Sequence, residues 1–426
     1  MSGVKKRPLW VKIVCIILCV LLLLIAVFAG TFVGVWYNEI STVRSFKQLF
    51  ARNDANDEGS VYEMKVKGGF YFDEFLSDGG VSSDAQLINF ISEKITRGLV
   101  DMSIPETDIG CSSFTAKTAS GDVLFARNYD FDKTNVCVTL TDPGDGRYKS
   151  FSSVDLNYIG MDPDSDVSGL MNKITCLAAP FVPLDGMNEK GVSCGIYMSY
   201  QGDVRDENNV SSSPTVATDQ QNPDKKNITS TTVLRLVLDY ADSTEKAVEL
   251  IGGYNLHDSA NTSFHYMIAD ASGVSAILEW VPENGTNATD SDGSKRTLHV
   301  TYNNDPRYAD AAREYYEYRG DAEFKYQWVT NFIVKDGYYS DDLNKRGYDR
   351  YQRIYERLKA TDGVVENEDA AMNILAEVGR RSWEDSVSKS KGVTVHSVVY
   401  NLTKKTVLWV ANENYSKQEA YYRYSF

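Results

Sequence analysis

The stretch that most constrains this chain runs from Gly110 to Asp132 and reads GCSSFTAKTASGDVLFARNYDFD. Small polar residues interleave with apolar ones before Ser120-Gly121-Asp122, a tripeptide with turn chemistry, and the run Val123 to Ala126 is typical of a strand. This pattern predicts a β-hairpin, because alternating residues on both sides of a short polar turn can pair across it. The hairpin would bring Cys111 back beside the residues that follow Ala126.

Those residues include Arg127 and Asp130. A free thiol has a pKa of about 8.5 and becomes a good nucleophile when a cation and a base lie next to it. Arg127 would supply the cation for Cys111. The faces of a strand alternate every two residues, so a short turn places either Arg127 or Asp130 on the face of Cys111, not both. Both would reach the thiol only through a bulge or if the strand ended before Asp130.

Cys-Ser-Ser-Phe, followed by Gly-Asp-Val-Leu-Phe-Ala-Arg-Asn-Tyr-Asp-Phe, resembles the opening of mature choloylglycine hydrolases and penicillin V acylases. These are the linear-amide branch of the N-terminal-nucleophile hydrolases. The resemblance covers roughly residues 85 to 415 and implies an α+β fold, a four-layer αββα sandwich. It also implies cleavage of the Gly110–Cys111 bond, after which the α-amino group of Cys111 acts as the base, since such a group titrates near pH 7.7–8.0. A buried, inert cysteine in an ordinary hairpin is the alternative.

Further site residues follow from the same resemblance. Arg127 would favour the thiolate and Asp130 would orient the α-amino group. The turn Met187-Asn188-Glu189-Lys190-Gly191 also occurs in bile-salt hydrolases, where the following strand helps to build the oxyanion hole. Counting along that strand places the main-chain N–H of Met198 in the hole. Bile-salt hydrolases usually carry Asn there and penicillin V acylases carry Tyr, so Met puts bile-salt specificity in doubt.

Two later segments complete the implied site. The short strand His299 to Tyr302 ends in Asn303-Asn304-Asp305-Pro306, and an amide just past a strand end can donate to a developing oxyanion. The family motif Thr-Asn-x-Pro selects Asn304, whereas an Asx turn before proline is the alternative. The predicted helix Tyr348 to Leu358 resembles the Ser-Arg-Phe-x-Arg segment of the hydrolases and implies that Arg350 is an active-site arginine. An ordinary surface helix is the alternative there.

The N-terminus carries a different signal. Basic residues up to Lys12 precede an uncharged stretch, Ile13 to Tyr37, which is long enough to cross a bilayer as a helix. Its length exceeds a signal-peptide core of about 7–15 residues, so we predict a cytoplasmic tail (1–12) and an uncleaved single-pass anchor (13–37). The positive residues place the rest outside the cytoplasm. A signal peptide that is cleaved, giving a secreted protein, is the alternative.

The remainder divides into a stalk and pro-segment, residues 38–110, and a catalytic domain, residues 111–426. Apolar residues at helical spacing from Asp84 to Leu99, behind a cap at Ser83 or Asp84, predict an amphipathic helix in the pro-segment.

Composition limits the partners. The net charge is −15 at pH 7, which argues against nucleic acid and anionic membrane surfaces as partners. The four histidines form no HExxH pattern and the six cysteines no CxxC pattern, so we expect neither a metal site nor a cofactor. With Cys111 kept for chemistry, at most one disulfide can form among the cysteines outside the apolar stretch.

The sequence therefore predicts an exported, membrane-anchored enzyme that hydrolyses a linear amide of a small N-acyl substrate. Within the enzyme class, the alternative is an acyltransferase or a peptide-amide hydrolase of the isopenicillin acyltransferase type. The alternative from another class is a non-catalytic surface-binding protein that keeps the fold.

Overall fold

The structure, a computed structural model, describes residues 8–98, 102–104, 110–201, 204–205, 211–212, 215–282, 292–303, 326–339, 345–381 and 392–426. Its α-helices, within these residues, are α1 (Leu9–Val35), α2 (Tyr37–Ser45), α3 (Phe72–Ser77), α4 (Asp84–Ile91), α5 (Gly169–Thr175), α6 (Ser230–Tyr240), α7 (Thr244–Gly252), α8 (Tyr348–Ala360) and α9 (Glu368–Glu377).

The first ten strands are β1 (Lys47–Phe50), β2 (Val61–Lys67), β3 (Gly110–Thr118), β4 (Val123–Phe131), β5 (Val136–Asp142), β6 (Ser150–Asp155), β7 (Asp185–Asn188), β8 (Ser193–Met198), β9 (Val204–Arg205) and β10 (Ser211–Ser212). The others are β11 (Lys226–Thr229), β12 (Tyr254–His257), β13 (Phe264–Ala269), β14 (Ser275–Pro282), β15 (Arg296–Tyr302), β16 (Trp328–Val329), β17 (Val364–Val365), β18 (Val393–Asn401), β19 (Thr406–Ala411) and β20 (Tyr421–Ser425).

Two large sheets form the body of the protein. A nine-stranded sheet has the order β1-β2-β5-β6-β7-β8-β13-β14-β15. A seven-stranded sheet has the order β16-β3-β4-β18-β19-β20, with β17 added alongside β3. Most neighbours are antiparallel, whereas β2 with β5 and β17 with β3 are parallel. Because antiparallel pairs need only short turns, most of each sheet is built from hairpins.

The two sheets pack face to face. The indole of Trp409 on β19 donates to Ser153 on β6 across the interface, over 3.1 Å. Helices α6 and α7 pack against the outer side of the nine-stranded sheet, and α8 and α9 pack against the seven-stranded sheet. The predicted α+β class is confirmed, and the layers run helix, sheet, sheet, helix within the described residues. Each sheet is thereby covered on both faces, which agrees with strands that are buried along nearly their whole length.

The predicted hairpin is confirmed as β3 and β4. Its turn is closed by a hydrogen bond from the N–H of Gly121 to the carbonyl of Thr118, over 2.8 Å, and Gly121 takes φ +91°, which glycine adopts without strain. The pairing sets Cys111 opposite Tyr129 and Ser113 opposite Arg127. Both strands lie inside the seven-stranded sheet, so the hairpin is held from both sides.

The segment predicted as stalk and pro-segment contributes to the sheet itself. Strand β2 pairs with β5 in parallel register from Val61↔Val136 to Lys67↔Asp142, and β1 extends the same sheet. The paired residues of β2 and β5 are 75 positions apart along the chain. A parallel pairing over that distance leaves no local signal, which explains why the sequence did not reveal it. Helix α4 begins behind Ser83, one of the two predicted caps, whose hydroxyl accepts from the N–H of Gln86. Its α-helical part ends at Ile91 and continues directly as a π-helix, Ser92–Thr96, so the predicted helix is present up to Thr96. The predicted last residue, Leu99, lies outside the described residues.

Helix α1 coincides with most of the apolar stretch. Its segment Leu9–Val27 is long and apolar enough to cross a membrane, and none of it is buried by the rest of the protein. A signal sequence would meet the same criterion of length and composition. The basic residues before it lie outside the described residues.

Candidate active site

Cys111 lies on the inner face of β3 and is completely buried. Because it pairs with Tyr129, the side chain of Arg127, two residues before Tyr129, shares its face. The Nη2 atom of Arg127 donates to Sγ of Cys111 over 3.4 Å. Of the two registers left open by the sequence, the structure therefore has the one that faces Arg127 toward the thiol.

Asp130 points to the opposite face, where it lies against the main chain just before Cys111. Its carboxylate accepts a hydrogen bond from Nη1 of Arg350 over 2.8 Å and another from the hydroxyl of Thr394 over 2.7 Å. The same Nη1 atom of Arg350 also donates to the carbonyl oxygen of Cys111 over 3.1 Å. Asp130 thus reaches Cys111 through Arg350, which is buried and lies on α8, the helix that was predicted to carry it.

A bulge does occur near the site, in the neighbouring strand. Strand β18 shifts register against β4 between Thr394 and His396. These residues would share a face in a regular strand, but the bulge lets Thr394 contact Asp130 while His396 contacts Asp185 from the other sheet. One strand therefore supports both faces of the site.

Asn331 occupies the position opposite Cys111, which the sequence had not indicated. Val329 at the end of β16 pairs with Ser113, so two residues further on Asn331 faces Cys111. Its Oδ1 atom accepts the main-chain N–H of Cys111 over 3.0 Å and Nη2 of Arg350 over 2.9 Å. Its Nδ2 atom donates to the carbonyl oxygen of Met198, over 3.0 Å, at the end of β8. The predicted Met198 is thus next to the site.

Asn304, the predicted oxyanion asparagine, lies outside the described residues. Its neighbour Asn303 holds a turn, since it accepts from the N–H of Ser275 and donates to the carbonyl of Gly273. The signal used for Asn304, an amide directly after a short strand, also exists at Thr330-Asn331 after β16. The proline at position 306 favoured Asn304, and Asn331 is followed by phenylalanine and isoleucine instead.

Burial dominates the electrostatics of the thiol in this uncut chain. Burial raises the pKa of Cys111 to about 11, and the nearby Arg127 and Arg350 charges offset only part of that rise. Arg127 lowers the pKa of the thiol, as predicted, but burial raises that pKa by more. At neutral pH the buried thiol is therefore protonated and has no contact with solvent.

A buried carboxylate holds Arg127 in place. Asp185 on β7 accepts from Nε of Arg127 over 3.1 Å, from His396 over 2.7 Å and from the hydroxyl of Tyr400 over 2.6 Å. Burial alone would raise the pKa of Asp185, but His396 and Arg127 lower it to about 2, so the carboxylate is ionised. An aspartate at the start of an apolar strand was the only sequence signal for this residue.

The guanidinium of Arg127 also stacks over the ring of Tyr197, 4.5 Å from its centre. A Cβ atom on Gly195 would come within 2.6 Å of the Tyr197 hydroxyl and 2.8 Å of Nη1 of Arg127, so the glycine leaves the space that these groups fill. Within the described part of the chain, Nη1 of Arg127 is buried without a hydrogen-bond partner.

The described residues contain no group of three or more His, Cys, Asp or Glu side chains that could hold a metal ion. All six cysteines are described, and each is free. The chemistry available at the site is thus that of a buried thiol, two guanidinium groups, two carboxylates and an amide.

Comparison with known proteins identifies the family of this chain. The family model of the linear amide C–N hydrolases, choloylglycine hydrolase family, matches residues 111–327, slightly more than half of the chain, and the match begins at Cys111. No match was found among the curated proteins.

Several solved structures are similar. A variant of the conjugated bile acid hydrolase from Clostridium perfringens is 17% identical, with 74% of this chain and 97% of that chain covered and a TM-score of 0.43. Penicillin V acylase from Agrobacterium tumefaciens is 16% identical, with 71% and 83% covered and a TM-score of 0.40. The Caenorhabditis elegans ortholog of N-acylethanolamine-hydrolyzing acid amidase is 14% identical, with 69% and 93% covered and a TM-score of 0.36.

Because the family model matches more than half of the chain, this chain belongs to the choloylglycine hydrolase family and is a hydrolase that acts on linear amide C–N bonds.

Proposed function

We propose that the chain hydrolyses a linear amide of a small N-acyl substrate, with Cys111 as an N-terminal nucleophile released by cleavage of the Gly110–Cys111 bond. One observation carries this proposal: three separate side chains hold the two atoms of Cys111 that react, its sulfur and its nitrogen, and its carbonyl oxygen. Arg127 contacts its sulfur, Asn331 its nitrogen and Arg350 its carbonyl oxygen. A structural cysteine needs none of these contacts.

In the proposed mechanism, the freed α-amino group of Cys111 takes the thiol proton and the sulfur attacks the carbonyl carbon of the substrate. The tetrahedral oxyanion is stabilised by the main-chain N–H of Met198 and by the side-chain amide of Asn331, the residue we now assign in place of Asn304. The α-amino group returns the proton to the leaving amine, and a thioester remains. Water, deprotonated by the same amino group, then attacks the thioester and releases the acid and the thiol.

Arg127 and Asp130 prepare the nucleophile in this proposal. Arg127 stabilises the negative charge on sulfur, and Asp185 keeps the guanidinium in place. Asp130 orients the α-amino group of Cys111 through Arg350, which contacts the carbonyl oxygen of Cys111 and the amide of Asn331 that accepts its N–H. The protonated, buried thiol of that uncut chain supports the view that it is a latent form.

Cleavage is the first experimental test. Gly110 has no side chain to crowd attack by the neighbouring thiol, and a Cβ there would come within 3.1 Å of Asp130. Intact mass and N-terminal sequencing of active protein should reveal two chains, the larger one beginning at Cys111. The Cys111→Ala variant should remain a single uncut and inactive chain. Full amidase activity from an uncut chain would overturn the mechanism.

Substrate class is tested with a panel of amides. Conjugated bile acids, penicillin V and N-acylethanolamines represent the substrates named for the three similar structures. Release of the amine is followed for wild type and for Cys111→Ala as the control. Turnover of any panel member by wild type alone supports the hydrolase. If a second amine is added and receives the acyl group, so that the first amine is released without formation of the free acid, the protein is an acyltransferase instead.

We also propose that α1 anchors the protein in a membrane with the catalytic body outside the cytoplasm. The support is an apolar helix that the rest of the protein leaves uncovered, because such a surface is unfavourable in water. Protease added to intact cells should degrade the catalytic body while a cytoplasmic marker survives. A body that is digested only after lysis would overturn the orientation, and its recovery in the medium would indicate a cleaved signal peptide.

A further inference from the structure

Another buried pair of polar residues lies behind Asn331. His265 on β13 and Glu279 on β14 lie opposite each other, one residue beyond the pair Tyr266↔Leu278, and neither side chain has any exposed surface. Their side chains meet between Nδ1 of His265 and Oε1 of Glu279, over 3.1 Å. Neither residue contacts the thiol, and the mechanism above does not use them.

The pair holds the segment that carries Asn331, residues 330–335, which we call the Asn331 segment. Nε2 of His265 lies 2.9 Å from the carbonyl oxygen of Thr330, directly before Asn331. Since a carbonyl oxygen can only accept, Nε2 carries the proton. On the other side, the carboxylate of Glu279 accepts from the N–H of Val334 over 2.7 Å and from the N–H of Lys335 over 3.0 Å.

The Asn331 segment needs these partners because it forms no helix or strand of its own. Strand β16 ends at Val329, and the main chain beyond it pairs with Tyr200 only at an isolated bridge, opposite Phe332. Buried main-chain groups that lack a partner cost free energy, so a side-chain pair here replaces the missing ladder. The segment is thereby held at both ends, before and after Asn331.

A contribution to stability alone does not explain the pair. Burying an imidazole and a carboxyl group removes both from water, and well-packed apolar residues of similar size often give equal or greater stability. A hydrogen-bonding pair fixes the geometry of the main chain that it contacts, which an apolar pair cannot do. The hydroxyl of Thr330 also donates to the carbonyl of Gly347, which precedes the helix that carries Arg350. A shift of the segment would therefore move two residues of the site.

We propose that His265 and Glu279 are positioning residues, which place the amide of Asn331 for stabilisation of the oxyanion. This inference rests on the proposed role of Asn331, and the experiment below separates the two. A misplacement of about 1 Å in such a group can reduce kcat by roughly 10²-fold. We therefore expect losses in kcat, with KM little changed, when the pair is broken.

The kinetic test is a double-mutant cycle on a chromogenic N-acyl anilide. Glu279→Gln should lower kcat by roughly 10²-fold in the wild-type background, and by no more than about threefold when Asn331 is already alanine. A merely structural role would lower activity by the same factor in both backgrounds. Asp239→Asn is the matched control, because Asp239 is also fully buried and paired with an arginine, but on α6. It should show no coupling to Asn331.

A pair of variants at position 265 keeps the test informative if Glu279→Gln does not fold. His265→Gln retains an N–H donor for Thr330 and should keep most of the activity. His265→Leu has a similar size without a donor and should lose it. Equal activities of these two variants would overturn the proposal.

The final measurement needs no substrate. Hydrogen exchange of peptides covering residues 328–336 should be faster in Glu279→Gln than in wild type, while peptides from α6 remain unchanged. This result supports positioning even if no amide is hydrolysed, in which case the proposed function alone fails. Unchanged exchange in residues 328–336 overturns the inference, whatever the activity.

Discussion

Replacing Asp185 by asparagine tests how the charge behind Arg127 supports the site. Asparagine can keep its oxygen toward Arg127 and His396 and turn its NH₂ group toward the Tyr400 hydroxyl, which can accept. The three contacts, of 3.1, 2.7 and 2.6 Å, are then retained in form. The substitution therefore removes the negative charge while it changes the shape little.

The magnitude follows from the pKa of Asp185, lowered from 3.8 to about 2 in the folded protein. At 1.36 kcal/mol per pKa unit, this corresponds to about 2 to 3 kcal/mol of stability. A depressed pKa contributes stability that is complete above the unfolded value and is lost as the pH falls through the folded value. Wild type should thus be more stable than Asp185→Asn by about 2 to 3 kcal/mol at pH 7, and this difference should shrink between pH 4 and pH 2.

The assay is urea denaturation of the purified full-length protein in detergent at several pH values. Asp155→Asn is the matched control, because Asp155 is also completely buried but its pKa is raised to about 6 by burial. A raised pKa reverses the sign of the pH dependence. The free energy of unfolding of wild type, relative to that of Asp155→Asn, should therefore increase as the pH falls from 6 to 4. If Asp185→Asn were as stable as wild type at pH 7, or if its deficit did not depend on pH, the reasoning would be refuted.

Three further predictions concern the site and the chain around it. Asn331→Ala should lower kcat by roughly 10²–10³-fold with the fold intact, as expected for the loss of one oxyanion donor. Asn304→Ala should leave kcat unchanged, so steady-state kinetics of the two variants compare the two assignments directly. Gly195→Ala should lower activity because its Cβ would displace the guanidinium of Arg127; wild-type activity in this variant, with an unchanged circular dichroism spectrum, would count against that contact. After cleavage at Cys111, the N-terminal piece should remain bound through the ladder between β2 and β5, so the two chains should elute together in native buffer and separate in denaturant; separation in native buffer would contradict this.

Much of the site was predictable where the signal is local. The hairpin of β3 and β4, with Cys111 on one strand and Arg127 on the other, follows from alternation around one turn. Arg350 was placed by a motif on a helix whose limits the structure nearly reproduces, Tyr348–Ala360. Asn331 was missed because its motif lacks the proline that drew attention to Asn304. Its position depends on β16 pairing with β3, strands that are more than two hundred residues apart.

The sequence by itself determined the elements whose causes lie within a few residues: the turn at Gly121, the cap at Ser83, the apolar helix α1 and the family to which the chain belongs. Only the tertiary structure decided which face of Cys111 meets a charge, because a register is fixed by packing and not by alternation alone. It also decided that Asp185 and His265, isolated polar residues in apolar strands, lie behind Arg127 and Asn331. Such contacts form only when two sheets pack face to face, since each partner lies far away along the chain.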